Sequence, residues 1–206
     1  MSRDDGTRAE ARTDVVLKLG GGMLHAPGAL AAVLATVGDA LGARGVPHVV
    51  VVPGGGPFAD AVREVDRRLD LSDDAAHWMA ILAMDQYAHL LADRLPHGRL
   101  VDGPAPIATA HREGALPVLA PSRWLRAADP LPHTWDVTSD SIAAWIAGVL
   151  GARCLVLVKP PGARGRDDLV DPYFSHAVRQ DIPCLVVAAD DPAALRSALG
   201  VHAVQR

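Results

Sequence analysis

The chain has 206 residues, of which 50% are hydrophobic and 21% charged, and its formal net charge is −4. These values predict a folded domain rather than a disordered chain and argue against a broad nucleic-acid surface. The polar segment 1–13 lacks the apolar core of a secretory signal. We therefore expect it to be a disordered tail, with 14–206 as a single domain. The apolar runs are too short to span a bilayer, and Cys154 and Cys184 suit reduced core thiols, so a cytoplasmic protein is expected.

The first half of the chain alternates short apolar runs with helical patterns. Strands are predicted at Val15–Leu19 and His48–Val52, and helices at Pro27–Arg44, near Phe58–Leu69 and at Asp73–Leu95. Each of the two strands is followed directly by three glycines. Ser72 is a plausible N-cap for the last of these helices.

The second half continues the alternation. Short strands are predicted at Leu100–Val101 and Pro117–Leu119 around a helical turn, and further strands at Cys154–Lys159 and Cys184–Ala188. Helices are predicted at Ser141–Leu150, Pro172–Arg179 and Pro192–Leu199, with Trp124–Pro132 irregular and Pro160–Asp171 a loop. Continuously apolar strands between helices predict an α/β fold with a mainly parallel sheet covered on both faces.

Lysine is rare in this chain. The 20 basic residues include two lysines, Lys18 and Lys159, and each ends an apolar strand before a glycine-containing loop. Codon bias toward arginine explains the abundance of arginine but not where the two lysines stand. Because a compact ammonium at a tight phosphate site is not replaceable by a forked guanidinium, we expect at least one of them to be functional.

The two triple-glycine loops, 20–22 and 54–56, are candidate anion sites. Ligands of open α/β sheets bind beyond the carboxyl ends of the strands, and glycine lets backbone N–H groups approach an anion. Neither loop has the GxxxxGK[ST] spacing of a P-loop. Plain tight turns are the alternative. Two such loops favour two anionic groups held face to face, as phosphoryl transfer requires.

A polar segment, Trp135–Ser141, stands directly before the helical residues Ile142–Leu150. Thr138, Ser139 or Asp140 must cap that helix, and capping alone is the simpler interpretation. Several polar residues in a row favour a further role, in which Asp140 holds the lysine ammoniums in place. The N–H groups at the helix start would remain available for an anion.

The order strand-Lys-x-Gly-Gly-Gly, strand-Pro-Gly-Gly-Gly, then Thr-Ser-Asp opening a helix resembles the amino acid kinase family. The resemblance implies a three-layer α/β/α sandwich that binds ATP, with Mg²⁺, over one end of the sheet. It implies catalytic roles for Lys18, Asp140 and Lys159, nucleotide binding by Gly20, Gly21, Gly22 and Thr138, and acceptor binding by Gly54, Gly55, Gly56, Asp136 and Ser139. The sequence departs from the family after Lys159, where Pro160-Pro161-Gly162 replaces a TDVDG-like nucleotide segment.

Within that family, the segment Trp135–Ala147 and the short length resemble the kinases of methanofuran biosynthesis. This implies ATP-dependent phosphorylation of a phosphate monoester, aminomethylfuranmethyl phosphate. A carboxylate or nucleoside monophosphate acceptor stays open, as does a non-catalytic nucleotide- or oxyanion-binding protein of the same fold.

The nine scattered histidines show no metal-ligand spacing, so no protein-bound metal is expected. The apolar helix Asp73–Leu95 suggests a homodimer, and neither nucleic acid nor membrane is expected as a partner. Trp124 with Arg123 and Arg126 would either wall an acceptor pocket or lie in a solvated loop.

Overall fold

A computed structural model describes residues 13–41, 48–163 and 169–200. The strands in these ranges are β1 Val15–Leu19, β2 Val49–Pro53, β3 Gly98–Val101, β4 Leu116–Leu119, β5 Cys154–Lys159 and β6 Cys184–Ala188. The helices are α1 Pro27–Leu41, α2 Gly56–Leu69, α3 Asp73–Arg94, α4 Pro104–Arg112, α5 Ser122–Ala128, α6 Ser139–Leu150, α7 Phe174–Ala177 and α8 Pro192–Gly200. A short 3₁₀ helix, Gly21–His25, follows β1.

The strands form one parallel sheet in the order β3-β4-β2-β1-β5-β6. The central strand β1 is flanked by β2 and β5, and Lys18 pairs in register with Val52 on one side and Leu157 on the other. Parallel strands that end at one level place their following loops side by side. The predicted α/β architecture is confirmed.

Two hydrophobic cores cover the two faces of the sheet. Along β1, Val15 and Leu17 pack into the core that contains α1 and α8, whereas Val16 faces the core built on α6. Helix α3 contributes to both cores, with Tyr87 in the first and Met84 in the second. This double burial explains why α3 is apolar on more than one side.

Two predicted elements were wrong. Part of the segment Trp124–Pro132, predicted to be irregular, is helical, because α5 spans Ser122–Ala128 and buries Leu125 in a core. The predicted helix Pro172–Arg179 is a single turn, α7, which ends where Val178 turns extended. The predicted helix over Pro27–Arg44 ends at Leu41 in the described part, and residues 42–47 lie outside the described residues.

The start of the described chain is buried, and both cysteines are reduced. Residues 1–12 of the predicted tail lie outside the described residues, while Thr13 is buried. Cys154 and Cys184 are free thiols, and burial raises the pKa of each to about 11. Among the described residues, no helix combines the length and apolarity needed to cross a membrane.

Candidate active site

The two lysines share one carboxylate. Lys18 near the end of β1 and Lys159 at the end of β5 come from neighbouring parallel strands, and Asp140 lies in the first turn of α6. The Lys18 Nζ lies 2.9 Å from Asp140 Oδ1, and the Lys159 Nζ lies 2.5 Å from Asp140 Oδ2. The side chains of Lys18, Asp140 and Lys159 are 5%, 6% and 12% exposed, respectively. We call Lys18, Asp140 and Lys159 the charged triad.

Burial and charge oppose each other within the triad. Burial alone would raise the pKa of Asp140, but the ammoniums of Lys18 and Lys159 outweigh it and hold that pKa below its ordinary value. Burial and the charge of Lys18 lower the pKa of Lys159, against the opposing charges of Asp140 and Asp171. Two ammoniums against one carboxylate leave the charged triad with a net positive charge, which suits an anionic ligand.

The two glycine loops contact each other directly. The Gly54 N–H donates to the Leu19 carbonyl at 2.8 Å. A Cβ on Gly21 would lie 2.0 Å from Gly56 N, and a Cβ on Gly54 would lie 2.5 Å from Gly21 N. Glycine at Gly21 and Gly54 is therefore required by the packing of backbone on backbone. Gly56 also adopts the left-handed region, with φ of +55°.

A cavity of about 270 Å³ opens beside these loops. Both glycine loops, α2, α3 and the segment 134–139 form its walls. Its polar and aromatic lining includes His25, Asp60, Arg63, Asp73, His77, Thr134, Trp135, Thr138 and Ser139. Its apolar lining includes Ala59, Ala76, Ala80, Ile81, Met84, Val137 and Ile142. A cavity of this size and mixed lining fits a small ligand with charged ends.

Trp135 closes one wall of the cavity. Its indole Nε1 donates to Asp66 Oδ2 of α2 at 2.7 Å, and the Arg63 guanidinium lies 4.8 Å from its ring centroid. Arg63 also pairs with Asp60 at 3.0 Å. The loop that carries Trp135 is thereby tied to α2, and an arginine and an aromatic ring face the cavity together.

His77 forms another part of the wall and is backed by His133. His133 places its ring nitrogens 2.8 Å from Asp74 and 2.8 Å from Asp129, and its ring stacks on His77 at 4.0 Å between centroids. Burial, and then the neighbouring His133, lower the pKa of His77 to about 4. His77 is therefore neutral near pH 7 and faces the cavity as an uncharged hydrogen-bonding group.

The structure brings together most of the predicted site residues. Lys18, Asp140 and Lys159 form the charged triad, and Gly21, Gly22, Gly55, Gly56, Thr138 and Ser139 line the cavity. Gly20 and Gly54 do not line the cavity, and each packs against backbone behind it. Thr138, expected at the nucleotide, lines the same cavity as the second glycine loop. Asp136 is exposed and does not line the cavity.

The arginine and tryptophan residues suggested as a pocket wall do not line the cavity. Arg123 pairs with Asp102, Arg126 stacks on Trp78, and Trp124 contacts Trp145. Arg63 and Trp135 take that place instead. They are 72 residues apart, so no local sequence pattern links them. Asp171, buried beside the start of α6, was also missed, because it lies in a segment predicted to be a loop.

Comparison with known proteins assigns the family. Residues 14–160 match the sequence model of the Amino acid kinase family, and the chain belongs to this family. A Methanocaldococcus jannaschii protein named [5-(aminomethyl)furan-3-yl]methyl phosphate kinase is 30% identical over 109 residues. Those residues are 53% of this chain and 50% of that protein, so the match spans half the length of this relative.

Solved structures confirm the amino acid kinase fold. Uridylate kinase from Archaeoglobus fulgidus superposes with a TM-score of 0.62 at 18% identity, covering 91% of this chain and 95% of that one. UMP kinase from Bacillus anthracis gives a TM-score of 0.64 at 16% identity, covering 93% of each chain. UMP kinase from Ureaplasma parvum gives 0.64 at 16%, covering 92% and 95%. At these identities the similarity concerns the fold alone.

Proposed function

We propose that this chain is an ATP-dependent phosphotransferase that adds a phosphoryl group to a small phosphate monoester. The observation that carries the proposal is the buried charged triad next to two glycine loops that touch. One loop, with Lys18 and Lys159, would hold the phosphates of ATP, and the other would hold the acceptor. ATP would enter as its Mg²⁺ complex, in which the metal neutralises phosphate charge.

The reaction would be an in-line transfer. A phosphate oxygen of the acceptor attacks the γ-phosphorus, the bond from that phosphorus to the β–γ bridging oxygen breaks, and ADP leaves with the bond electrons. The acceptor becomes a diphosphate. Lys18 and Lys159 would neutralise charge on the transferred group, while Asp140 holds the two ammoniums side by side. An ionised acceptor needs no general base, which is consistent with the low pKa of His77, about 4.

The acceptor is proposed to be aminomethylfuranmethyl phosphate or a close analogue. The name of the archaeal relative supports this choice. The cavity offers groups that match the parts of this acceptor: Arg63 suits its phosphate, and Trp135 suits its flat ring. The carboxylates of Asp60 and Asp73 line the same cavity and suit an ammonium. A nucleoside monophosphate is the main competing acceptor, since the structural relatives include UMP kinases.

Phosphorus NMR of the full chain with Mg-ATP tests the proposal. Parallel samples contain aminomethylfuranmethyl phosphate, UMP or aspartate, and a Lys18→Ala sample controls for contaminating kinases. New diphosphate signals with matching ADP in the first sample are expected. Transfer to UMP or aspartate alone would contradict the proposed acceptor but support the proposed kinase activity. ATP binding without ADP formation in every sample would contradict catalysis and favour the nucleotide-binding alternative.

A cytoplasmic homodimer stays part of the proposal. Leu82 on α3 is 48% exposed although most apolar residues around it are covered, which is consistent with a second copy packing on this helix. Light scattering after gel filtration measures the mass. A monomer at micromolar concentration would contradict the dimer.

A further inference from the structure

Asp171 holds the first turn of α6. It is 8% exposed and lies well beyond Lys159 in sequence. Its Oδ2 accepts hydrogen bonds from Thr138 N at 2.9 Å, Thr138 Oγ1 at 2.7 Å and Ser141 N at 3.0 Å. Its Oδ1 accepts a further bond from Ser141 Oγ. One carboxylate thus satisfies four donors on two residues.

This contact adds to an ordinary helix cap. The hydroxyl of the N-cap residue Thr138 accepts a long hydrogen bond from Asp140 N at 3.4 Å and donates to Asp171 at 2.7 Å. A carboxylate at this place is also favoured by the helix dipole. The N–H groups of Thr138 and Ser141 are engaged by the protein itself, so an anionic ligand at these groups would have to displace Asp171.

The short segment 171–174 that carries Asp171 is itself held in place, by hydrogen bonds and by packing on α6. The Phe174 N–H donates to the Asp171 carbonyl at 3.1 Å, and the Tyr173 N–H donates to the Asp136 carbonyl at 3.3 Å. Phe174 is buried against α6 in the core. The segment 171–174 therefore contacts the chain both before and after Thr138.

Asp140 lies inside the turn that Asp171 holds, between Thr138 and Ser141. Its carboxylate reaches both lysines of the charged triad. We propose that Asp171 is a positioning residue, which fixes the start of α6 so that Asp140 holds the Lys18 and Lys159 ammoniums in place for phosphoryl transfer. The catalytic part of this inference rests on the proposed function; the placement of the lysines does not.

Electrostatics support the placement. Lys159 faces Lys18, Asp140, Asp171 and Cys184, and the charge of Asp171 is among those that raise the pKa of Lys159 against the effect of burial. Asp171 thus adds a second negative charge to that of Asp140 in the surroundings of Lys159. Removing the charge of Asp171 will therefore lower the pKa of Lys159 further.

The composition of the chain allows a direct measurement. With lysines at two positions, protein labelled with ¹³C at lysine Cε gives two signals, which a Lys159→Arg sample assigns. In Asp171→Asn protein without nucleotide, the Lys159 signal should titrate at lower pH than in the unaltered chain. In kinase assays the same variant should lose about 10²-fold in kcat, the order for groups misplaced by about 1 Å, with little change in acceptor KM.

Matched variants separate positioning from stability. Asp85→Asn makes the same change at the start of α5, where Asp85 Oδ1 accepts from Ser122 N at 3.1 Å; this helix follows β4, which is a neighbour of neither β1 nor β5 in the sheet. It should leave kcat and both lysine titrations unchanged. Ser141→Ala keeps every charge and removes one donor. It should lower kcat by roughly tenfold, the order for one hydrogen bond to a charged group, without moving the Lys159 titration.

An unshifted Lys159 titration together with unaltered kcat per folded molecule in Asp171→Asn would overturn the inference. If that variant does not fold, unaltered kcat in Ser141→Ala would overturn it instead. If the unaltered chain transfers phosphoryl to no acceptor, the proposed function fails, while the lysine titration still decides whether Asp171 holds the cluster.

Discussion

Replacing Gly21 by alanine tests whether contact between the two glycine loops sets the reaction geometry. The added Cβ would lie 2.0 Å from Gly56 N and 2.4 Å from Gly56 Cα. Both are backbone atoms, so no side-chain rotation relieves the overlap. Since such contacts are essentially never closer than 3.0 Å, the loops must separate by at least about 1 Å (3.0 − 2.0). A displacement of about 1 Å between reacting groups lowers the rate by about 10²-fold.

The assay is steady-state kinetics of Gly21→Ala beside thermal unfolding. We expect kcat to fall by about 10²-fold and stability by about 1–3 kcal/mol, the range for overpacking. Gly28→Ala is the matched control. A Cβ on Gly28 in α1 meets nothing within 4 Å, so this variant should keep kcat and gain about 0.5–1 kcal/mol of stability. Normal kcat in Gly21→Ala would refute the idea that the touching loops align donor and acceptor.

Three further predictions concern the charged triad and the cavity. Lys18→Ala should lower kcat by about 10²–10³-fold with a far smaller change in the Kd for ATP, measured by calorimetry; equal losses would contradict a transition-state role. In the pH profile of kcat, activity should fall at high pH with an apparent pKa below the ordinary pKa of lysine. Burial and the charge of Lys18 lower the pKa of Lys159, and its positive charge is lost as pH rises through that pKa. Lys159→Arg should move this apparent pKa upward, and an unmoved apparent pKa would assign it to another group. Trp135→Ala should raise acceptor KM about tenfold or more with a smaller change in kcat, since it removes a cavity wall that contacts ligand in both states; a fall in kcat alone would argue against a binding role.

Buried strands and their ends were predictable from the sequence. β1, β5 and β6 have the predicted bounds, because strands covered on both faces appear as unbroken apolar runs. The Ser72 cap of α3 is confirmed by its hydrogen bond from Ala75 N at 3.2 Å. Lys18 and Lys159 were found because each ends such a run, before a glycine-containing loop.

The rest of the site depends on contacts between distant residues. Glycine is needed at position 21 because the backbone of Gly56 lies against it, and no local sequence pattern links these two residues. Asp171 acts on Thr138 and Ser141 across about 30 residues. Helix α5 was missed because its start follows a proline and its apolar content is modest, and burial of Leu125 stabilises it. In each case the energy comes from tertiary packing rather than from local preference.

The order of the strands in the sheet determines which of them open in local fluctuations and which do not. β1, β2 and β5, which end at the lysines and glycine loops, lie inside the sheet, while β6 is an edge strand with Leu185 and Val186 partly exposed. Edge strands open in brief local excursions, whereas central strands exchange their amide hydrogens through global unfolding. Amide hydrogens of β1, β2 and β5 will therefore exchange at rates set by the stability of the whole domain, and local opening of β6 will leave the two lysines and the glycine loops in place.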